Sequence, residues 1–175
     1  MDGGTVRDAT PGDAAACAAV YAPYVLDSST TFELVPPTVP EMAGRIAAAQ
    51  ARHAWLVLER ADVVVGYAYG GPFKARPAYR WACEVSVYLA PDQRGAGGGR
   101  ALYTALLDRL TGRGYRTAAA GMTQPNEASA ALHRALGFTT VGTFRRVGWK
   151  HGRWHDVTWA QCDLGAHHDP PEEPR

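Results

Sequence analysis

The 175-residue chain is poor in sulfur, with 3 cysteines and 3 methionines. Cys17, Cys83 and Cys162 are odd in number and far apart, with no metal-ligand spacing. A disulfide framework is therefore not expected, and reduced thiols in a cytoplasmic protein fit better. Long apolar runs are also missing: nothing approaches the ~18 consecutive apolar residues of a membrane span. Met1-Asp2-Gly3-Gly4 lacks the basic and apolar regions of a secretion signal. Charge of one sign is missing too. The 18 basic and 17 acidic side chains leave a net +1, so no whole-chain field draws the molecule to nucleic acid or to an anionic membrane. There is no internal repeat and no interdomain linker.

What remains is ordinary globular composition, 46% apolar and 20% charged. A chain of this length fits one domain and buries about 70% of its unfolded surface without a covalent staple.

The pattern along the chain predicts a flexible lead over residues 1–4, one domain over 5–164 and a disordered, Pro-, Glu- and His-rich tail over 165–175. Thr5–Thr10 reads as an edge strand. Asp13 is placed to cap an Ala-rich helix from Ala14 to about Val25. Asp27–Pro40 reads as an irregular loop and Glu41–Arg52 as a second helix. Trp55–Glu59 and Val63–Tyr69 form a hairpin across Arg60-Ala61-Asp62. After a polar excursion, Trp81–Leu89 is a strand.

A helix over Gly99–Arg113 follows the glycine run, with Leu102, Ala105, Leu106 and Leu110 on one face. Thr117–Met122 is a strand. Asn126 caps a helix bearing Ala128, Ala131, Leu132, Ala135 and Leu136 at i, i+3, i+4, i+7, i+8 spacing, which Gly137 closes. Thr139–Trp149 and Trp154–Cys162 are the last strands. A mixed sheet with helices on its faces, an α/β (α+β) domain, accommodates this order.

The most informative stretch is Val85-Ser86-Val87-Tyr88-Leu89-Ala90-Pro91-Asp92-Gln93-Arg94-Gly95-Ala96-Gly97-Gly98-Gly99-Arg100. Strand, glycine turn and helix in succession present backbone amides and the positive helix end to an anion. Arg100 stands where a dinucleotide fingerprint needs its third glycine, and no Gly-Lys-Ser/Thr is present for a nucleoside triphosphate. Both fingerprints normally follow a first strand, whereas several elements precede this one.

Arg94-x-x-Gly97-x-Gly99 resembles the acetyl-CoA signature Q/R-x-x-G-x-G/A of the GNAT N-acetyltransferase superfamily, and the element order resembles that fold from about Val6 to Leu164. Four segments look like phosphinothricin and methionine sulfoximine acetyltransferases: Gly71-Pro72-Phe73-Lys74-Ala75-Arg76-Pro77-Ala78-Tyr79, Glu84–Leu89, Leu132-His133-Arg134-Ala135-Leu136-Gly137-Phe138 and Lys150–Val157.

The resemblance implies a mostly antiparallel mixed sheet with helices on both faces, acetyl-CoA as co-substrate and no metal. It implies a homodimer and a role in resistance to herbicide-like or antibiotic amines. For the cofactor it implies a bulged strand at Val87, Tyr88 and Leu89 that pairs with the pantetheine arm. Arg94, Gly95, Ala96, Gly97, Gly98, Gly99 and Arg100 would take the pyrophosphate, with Asn126 a further contact.

For chemistry, Glu84 is the expected general base. An amine protonated at neutral pH must lose a proton before it attacks a thioester, and a half-buried carboxylate can take it through water. His133 matches a family histidine that either assists proton transfer or packs. Phe32, Lys74, Ala75, Arg76, Tyr79, Val85 and Ser86 join Glu84 as expected substrate contacts, the basic ones suited to an oxyanion. Phe73 and Val85 depart from residues common in such enzymes.

Cys83 should face away from Glu84, so no cysteine nucleophile is expected. His151 and His155 have metal-like spacing but read as strand and turn structure. The alternatives are another amine (an aminoglycoside, a polyamine or a protein N-terminus) or an acyl-CoA-binding module without turnover.

Overall fold

The computed structural model describes residues 4–175. The expected flexible lead lies outside the described residues except for Gly4. Strands β1 (Thr5–Asp8), β2 (Ala54–Arg60), β3 (Val63–Pro72), β4 (Ala82–Leu89), β5 (Thr117–Thr123), β6 (Thr139–Lys150) and β7 (Arg153–Asp163) make one sheet in the order β1-β2-β3-β4-β5-β7-β6. Only β4 and β5 run parallel; every other neighbouring pair is antiparallel. Helices α1 (Ala14–Asp27), α2 (Val39–Arg52), α3 (Gly98–Gly112) and α4 (Glu127–Ala135) cover its two faces.

The faces follow from side-chain alternation. In β2, Leu56 and Leu58 join Leu102, Leu106 and Leu110 of α3 in one core. Trp55 and Val57, which alternate with them in sequence, join Tyr21 and Val25 of α1 and Met42 and Ile46 of α2 in the other. Strand β4 divides the same way, with Cys83 and Val85 in the α3 core and Tyr88 in the α1–α2 core.

Two hairpins close on two-residue turns whose residues all have positive φ, as primed turns require. One is His151-Gly152 (φ 49 and 71). The other, Ala61-Asp62 (φ 47 and 61), contains no glycine.

Local capping differs from expectation in two places. Asp13 does not cap α1: its carboxylate accepts from Thr10 N (2.7 Å) and from both Nη atoms of Arg7 (2.8 and 2.9 Å). The Arg7 guanidinium competes for it and holds its pKa down to about 2. Helix α2 starts two residues before the expected Glu41, because Thr38 and Glu41 form a reciprocal capping box. Asn126 does cap α4, its Oδ1 accepting from Ser129 N at 3.1 Å. Gly137 (φ 84) follows the helix end.

Residues 165–175 hold no helix or strand but lie against the body of the domain. Their contacts are polar: Glu173 pairs with Arg80, and Arg175 N donates to Arg113 O at 2.8 Å.

The sheet opens in its middle. Strands β4 and β5 pair only from Ala82–Thr117 to Glu84–Ala119, after which β5 stays with β7 and β4 with β3. The β3–β4 register is continuous from Gly66–Leu89 to Pro72–Cys83. The expected bulge at Val87–Leu89 is therefore absent from that ladder, and strand divergence makes the opening instead.

Candidate active site

Glu84 is the last β4 residue to pair with β5, so its side chain stands at the fork. Its parity turns it to the α1–α2 side with Ser86 and Tyr88, away from Cys83. These three line a cavity of about 460 Å³. Thr31, Phe32 and Glu33 from the loop after α1 form another wall, and Phe144 and Val147 of β6 with Trp159 of β7 form a third. Burial raises the pKa of the Glu84 carboxyl, and the positive charge of Lys74 opposes that rise. No partner for the Glu84 carboxylate is found among the described residues, so its proton affinity is set by desolvation.

A polar chain braces the loop wall. The Tyr21 hydroxyl lies 2.6 Å from Thr31 Oγ1 and donates to Glu33 Oε1 at 3.0 Å. Arg45 grips Glu33 through two bonds of 2.6 and 2.9 Å and lowers its pKa. From the sheet, buried Lys150 donates to Thr31 O at 2.8 Å. Gly148 supplies clearance, since a Cβ there would overlap the Phe32 ring. On the β6 side the register slips between Phe144 and Gly148, and Arg146 (φ 50) donates its N–H to Asp156 Oδ1. This local bulge lies between Phe144 and Val147, the two β6 residues at the cavity.

The open edge of β4 leads from Glu84 to the glycine loop. Ala90 N bonds Val65 O on β3, so antiparallel alternation turns the backbone groups of Leu89, Val87 and Val85 toward the opening. Tyr24 engages Leu89 there, its hydroxyl donating to Leu89 O at 2.6 Å. Tyr103 donates to Val85 O at 3.4 Å. Val87, between them, presents its amide and carbonyl to the opening.

Beyond Leu89, Gly95 (φ 78) and Gly97 (φ 79) turn the chain into α3 through conformations that disfavour a Cβ. Gly98 and Gly99 are buried and let α3 approach the sheet: a Cβ at Gly98 would lie 2.7 Å from Leu58 Cδ2. The first-turn amides of Gly98, Gly99 and Arg100 have no intrahelical acceptor and face outward with the positive helix end. Arg60 braces the loop through Gln93 Oε1 (2.9 Å) and Ala96 O (3.3 Å). The Arg94 guanidinium stacks 4.9 Å from the Tyr24 ring centroid. An anionic ligand with a diphosphate fits this cradle.

Three expected site positions are placed differently. Val85 is 2% exposed in the α3 core, so its side chain cannot meet a substrate in the Glu84 cavity. His133 is also buried on the α3 side. Its Nδ1 donates to Ser129 O at 2.7 Å, and its Nε2 lies 3.2 Å from the Tyr103 hydroxyl. Burial lowers its pKa, and it lines neither cavity. It ties α4 to α3.

The third displacement concerns Lys74, Ala75, Arg76 and Tyr79, which line a separate cavity of about 750 Å³. The two cavities share Tyr21 and Tyr69 as a wall, and only Lys74 among these four perturbs Glu84. Phe73 packs edge-on against both Tyr79 and Trp159 between the chambers.

His151 and His155 serve separate backbone contacts, donating to Ser28 O and Lys150 O. No cluster of three or more His, Cys, Asp or Glu suited to a metal occurs among the described residues. No helix among them is long and apolar enough to cross a membrane.

A sheet forked beside a half-buried carboxylate, with a glycine cradle at the end of the same strand, defines the class of enzymes that move an acyl group from coenzyme A. Residues 6–159 match the acetyltransferase (GNAT) domain family, and the chain belongs to it. It is an acetyltransferase with acetyl-CoA as co-substrate.

Among its relatives, phosphinothricin N-acetyltransferase of Streptomyces viridochromogenes is 41% identical over 91% of this chain and 87% of that one. L-methionine sulfoximine/L-methionine sulfone acetyltransferase of Salmonella typhimurium is 35% identical over 95% and 98%. The crystal structure of a phosphinothricin acetyltransferase from Sinorhizobium meliloti with acetyl-CoA superimposes with a TM-score of 0.91. It has 37% identity and covers 98% of this chain and 93% of that one.

Proposed function

We propose that this enzyme acetylates the amine of a small amino-acid-like molecule of the phosphinothricin, methionine sulfoximine or methionine sulfone type. The observation that carries the reading is the place of Glu84. It is half-buried and without a counter-ion, in a cavity sized for a small substrate, at the fork from which the β4 edge runs to the cradle. The named substrates of the relatives support the same class.

Acetyl-CoA supplies an activated acetyl thioester. The chain's own residues do the rest. Glu84, with its raised pKa, accepts a proton from the substrate ammonium through water, freeing the amine to attack the thioester carbonyl; the C–S bond then breaks, and the thiolate leaves with the second proton of the acetylated nitrogen. The open-edge amide of Val87 is placed to donate to an oxygen lying along β4, a preorganised dipole of the kind that stabilises developing negative charge. The amides of Gly98, Gly99 and Arg100 hold the diphosphate, with Gly95, Ala96 and Gly97 shaping the turn and Arg94 at its rim. Asn126 fixes the start of α4 at the far side of the opening. Phe32, Thr31, Ser86, Phe144 and Trp159 enclose the substrate, and Lys74 lends positive charge from the shared wall.

The cavity also supports a homodimer. Phe144 and Val147, which line it, lie on the edge strand β6, which exposes Val141, Phe144, Val147 and Trp149 beside Trp154 of β7. A second copy along that edge would cover the apolar surface and finish the cavity wall. The buried free thiols Cys17, Cys83 and Cys162 suit a reducing cytoplasm.

The test is thiol release from acetyl-CoA across methionine sulfoximine, methionine sulfone, phosphinothricin, aminoglycosides and polyamines. The amino-acid analogues are expected to be turned over with the highest kcat/KM. Glu84→Gln should keep acetyl-CoA binding while losing ~10²–10⁴-fold in turnover at pH 7, the range of a lost general base. Full activity in that variant, or preference for a polyamine, refutes the reading.

A further inference from the structure

The second cavity, about 750 Å³, contains none of Glu84, Ser86 or Tyr88. Its body is cationic: Arg45, Arg52, Lys74, Arg76 and Arg80 face it, with Glu173 and Arg175 of the tail closing one side. Arg45 is committed to Glu33. Lys74, Arg76 and Arg52 make no salt bridge among the described residues. The walls are aromatic, with Tyr69, Phe73, Tyr79 and Tyr115 among them. Its volume lies within the ~300–1,000 Å³ of small-molecule sites.

The chain's own tail shows how this cavity holds an anion. Arg80 Nε and Nη2 donate to Glu173 Oε2 and Oε1 at 2.6 Å each, a planar two-pronged match. The guanidinium lies 4.0 Å from the Trp81 ring centroid, and its Nη1 donates to Pro77 O at 3.1 Å, so its plane is set before a ligand arrives. Trp81 Nε1 donates to Glu172 O at 2.7 Å. The receptor therefore reads a carbonyl oxygen and a carboxylate joined through N, Cα, Cβ and Cγ, which is the frame of an N-acyl glutamyl unit.

We propose that the rim of this cavity, at Arg80 and Trp81, is a second binding site, for N-acylated amino acids bearing an anion at the γ position, and that Glu172–Glu173 is its displaceable internal occupant. The contact is built for exchange. Both partners of the Arg80–Glu173 pair are solvent-exposed, at 43% and 65%, where ion pairs are weak and screened by salt. Because the tail competes in cis, a free ligand binds more weakly to the whole chain than to one whose occupant has lost its charge. Acetylated phosphinothricin, one product of the reaction proposed above, shares this frame, its phosphinate on Cγ standing in place of the carboxylate; binding itself does not depend on that reading.

The test follows the Trp81 indole N–H resonance while N-acetyl-L-glutamate is titrated into the full chain, Glu173→Gln, Arg80→Gln and Arg80→Lys. A saturable shift is expected in the full chain. Binding should be about two- to sixfold tighter in Glu173→Gln, the factor released with a surface ion pair. It should be lost in Arg80→Gln and weak in Arg80→Lys, which keeps charge without the fork. N-acetylglutamine, lacking the anion, and free glutamate, lacking the acyl carbonyl, should bind far more weakly. Equal titration by N-acetylglutamine, indifference to Arg80→Gln in a protein of unchanged Tm, or no shift in Glu173→Gln overturns the proposal. Acetyl transfer measured on the same proteins separates this outcome from failure of the catalytic reading.

Discussion

Replacing Gly98 with alanine should separate packing from flexibility in the cofactor cradle. The added Cβ meets Leu58 Cδ2 at 2.7 Å and Leu89 Cδ2 at 3.3 Å, whereas carbon atoms pack best at about 3.5–4.0 Å. Leu58 is fully buried against α3 and has nowhere to retreat. Either Leu58 leaves its rotamer or the first turn of α3 lifts from the sheet by about an ångström. Such overpacking costs about 1–3 kcal/mol, offset by up to about 1 kcal/mol of helix propensity. A net loss of about 1–2 kcal/mol lowers Tm by about 2–8 °C for a chain of this size.

Neighbouring Gly97→Ala has no atom within 4 Å of its Cβ and suffers only from its φ of 79. It should lose similar stability by backbone strain. The discriminating measurement is a double-mutant cycle by denaturant unfolding, with acetyl-CoA affinity measured alongside. Leu58→Val should relieve Gly98→Ala, with a coupling of about 1 kcal/mol, and leave Gly97→Ala unrelieved. A Gly98→Ala enzyme as stable and as tight for acetyl-CoA as the parent, or a cycle without coupling, refutes the steric account.

Glu84→Gln should be more stable than the parent above the ordinary glutamate range and equal to it in acid. The raised pKa means that the folded state keeps its proton longer, so stability falls as pH rises from the ordinary glutamate range through the folded value; a gain that shrinks with rising pH contradicts this. The parent's kcat/KM should show an acidic limb, above the ordinary glutamate range, that the variant lacks. His133→Phe should lose about 1–3 kcal/mol by removing its bonds to the Ser129 carbonyl and the Tyr103 hydroxyl, seen as a lower Tm with an unchanged pH–rate profile; a displaced limb would place His133 in the chemistry. Lys150→Met, which frees the Thr31 carbonyl, should raise KM for the amine and leave KM for acetyl-CoA alone, read from initial rates with each substrate varied.

Much of the site is local in sequence and was legible there. The glycine cradle is a contiguous strand–turn–helix, Asn126 sits three residues before the amide it caps, and Glu84 is a lone charge in an apolar strand. The alternation that put Cys83 opposite Glu84 also excludes Val85 from the cavity, so that residue was readable by parity and missed. The Thr38–Glu41 capping box was equally local.

The walls were not legible. Tyr21, Glu33 and Arg45 lie 12 residues or more apart in every pair and meet only once α1 and α2 stack on the sheet. Asp13 looked like a cap because nothing local reveals Arg7 as a competitor. Whether the Lys74–Tyr79 loop falls on the Glu84 side of Tyr69 depends on packing around Phe73, which no periodicity encodes.

The fork between β4 and β5 makes the sheet an unfinished structure until a partner lies along it. A ligand that supplies the missing strand contacts becomes part of the folding unit, and its concentration becomes a stability variable: at a hundred times Kd it adds about 2.7 kcal/mol. In a cell, the ratio of acetyl-CoA to demand would then set how long each copy survives proteolysis as well as how fast it works.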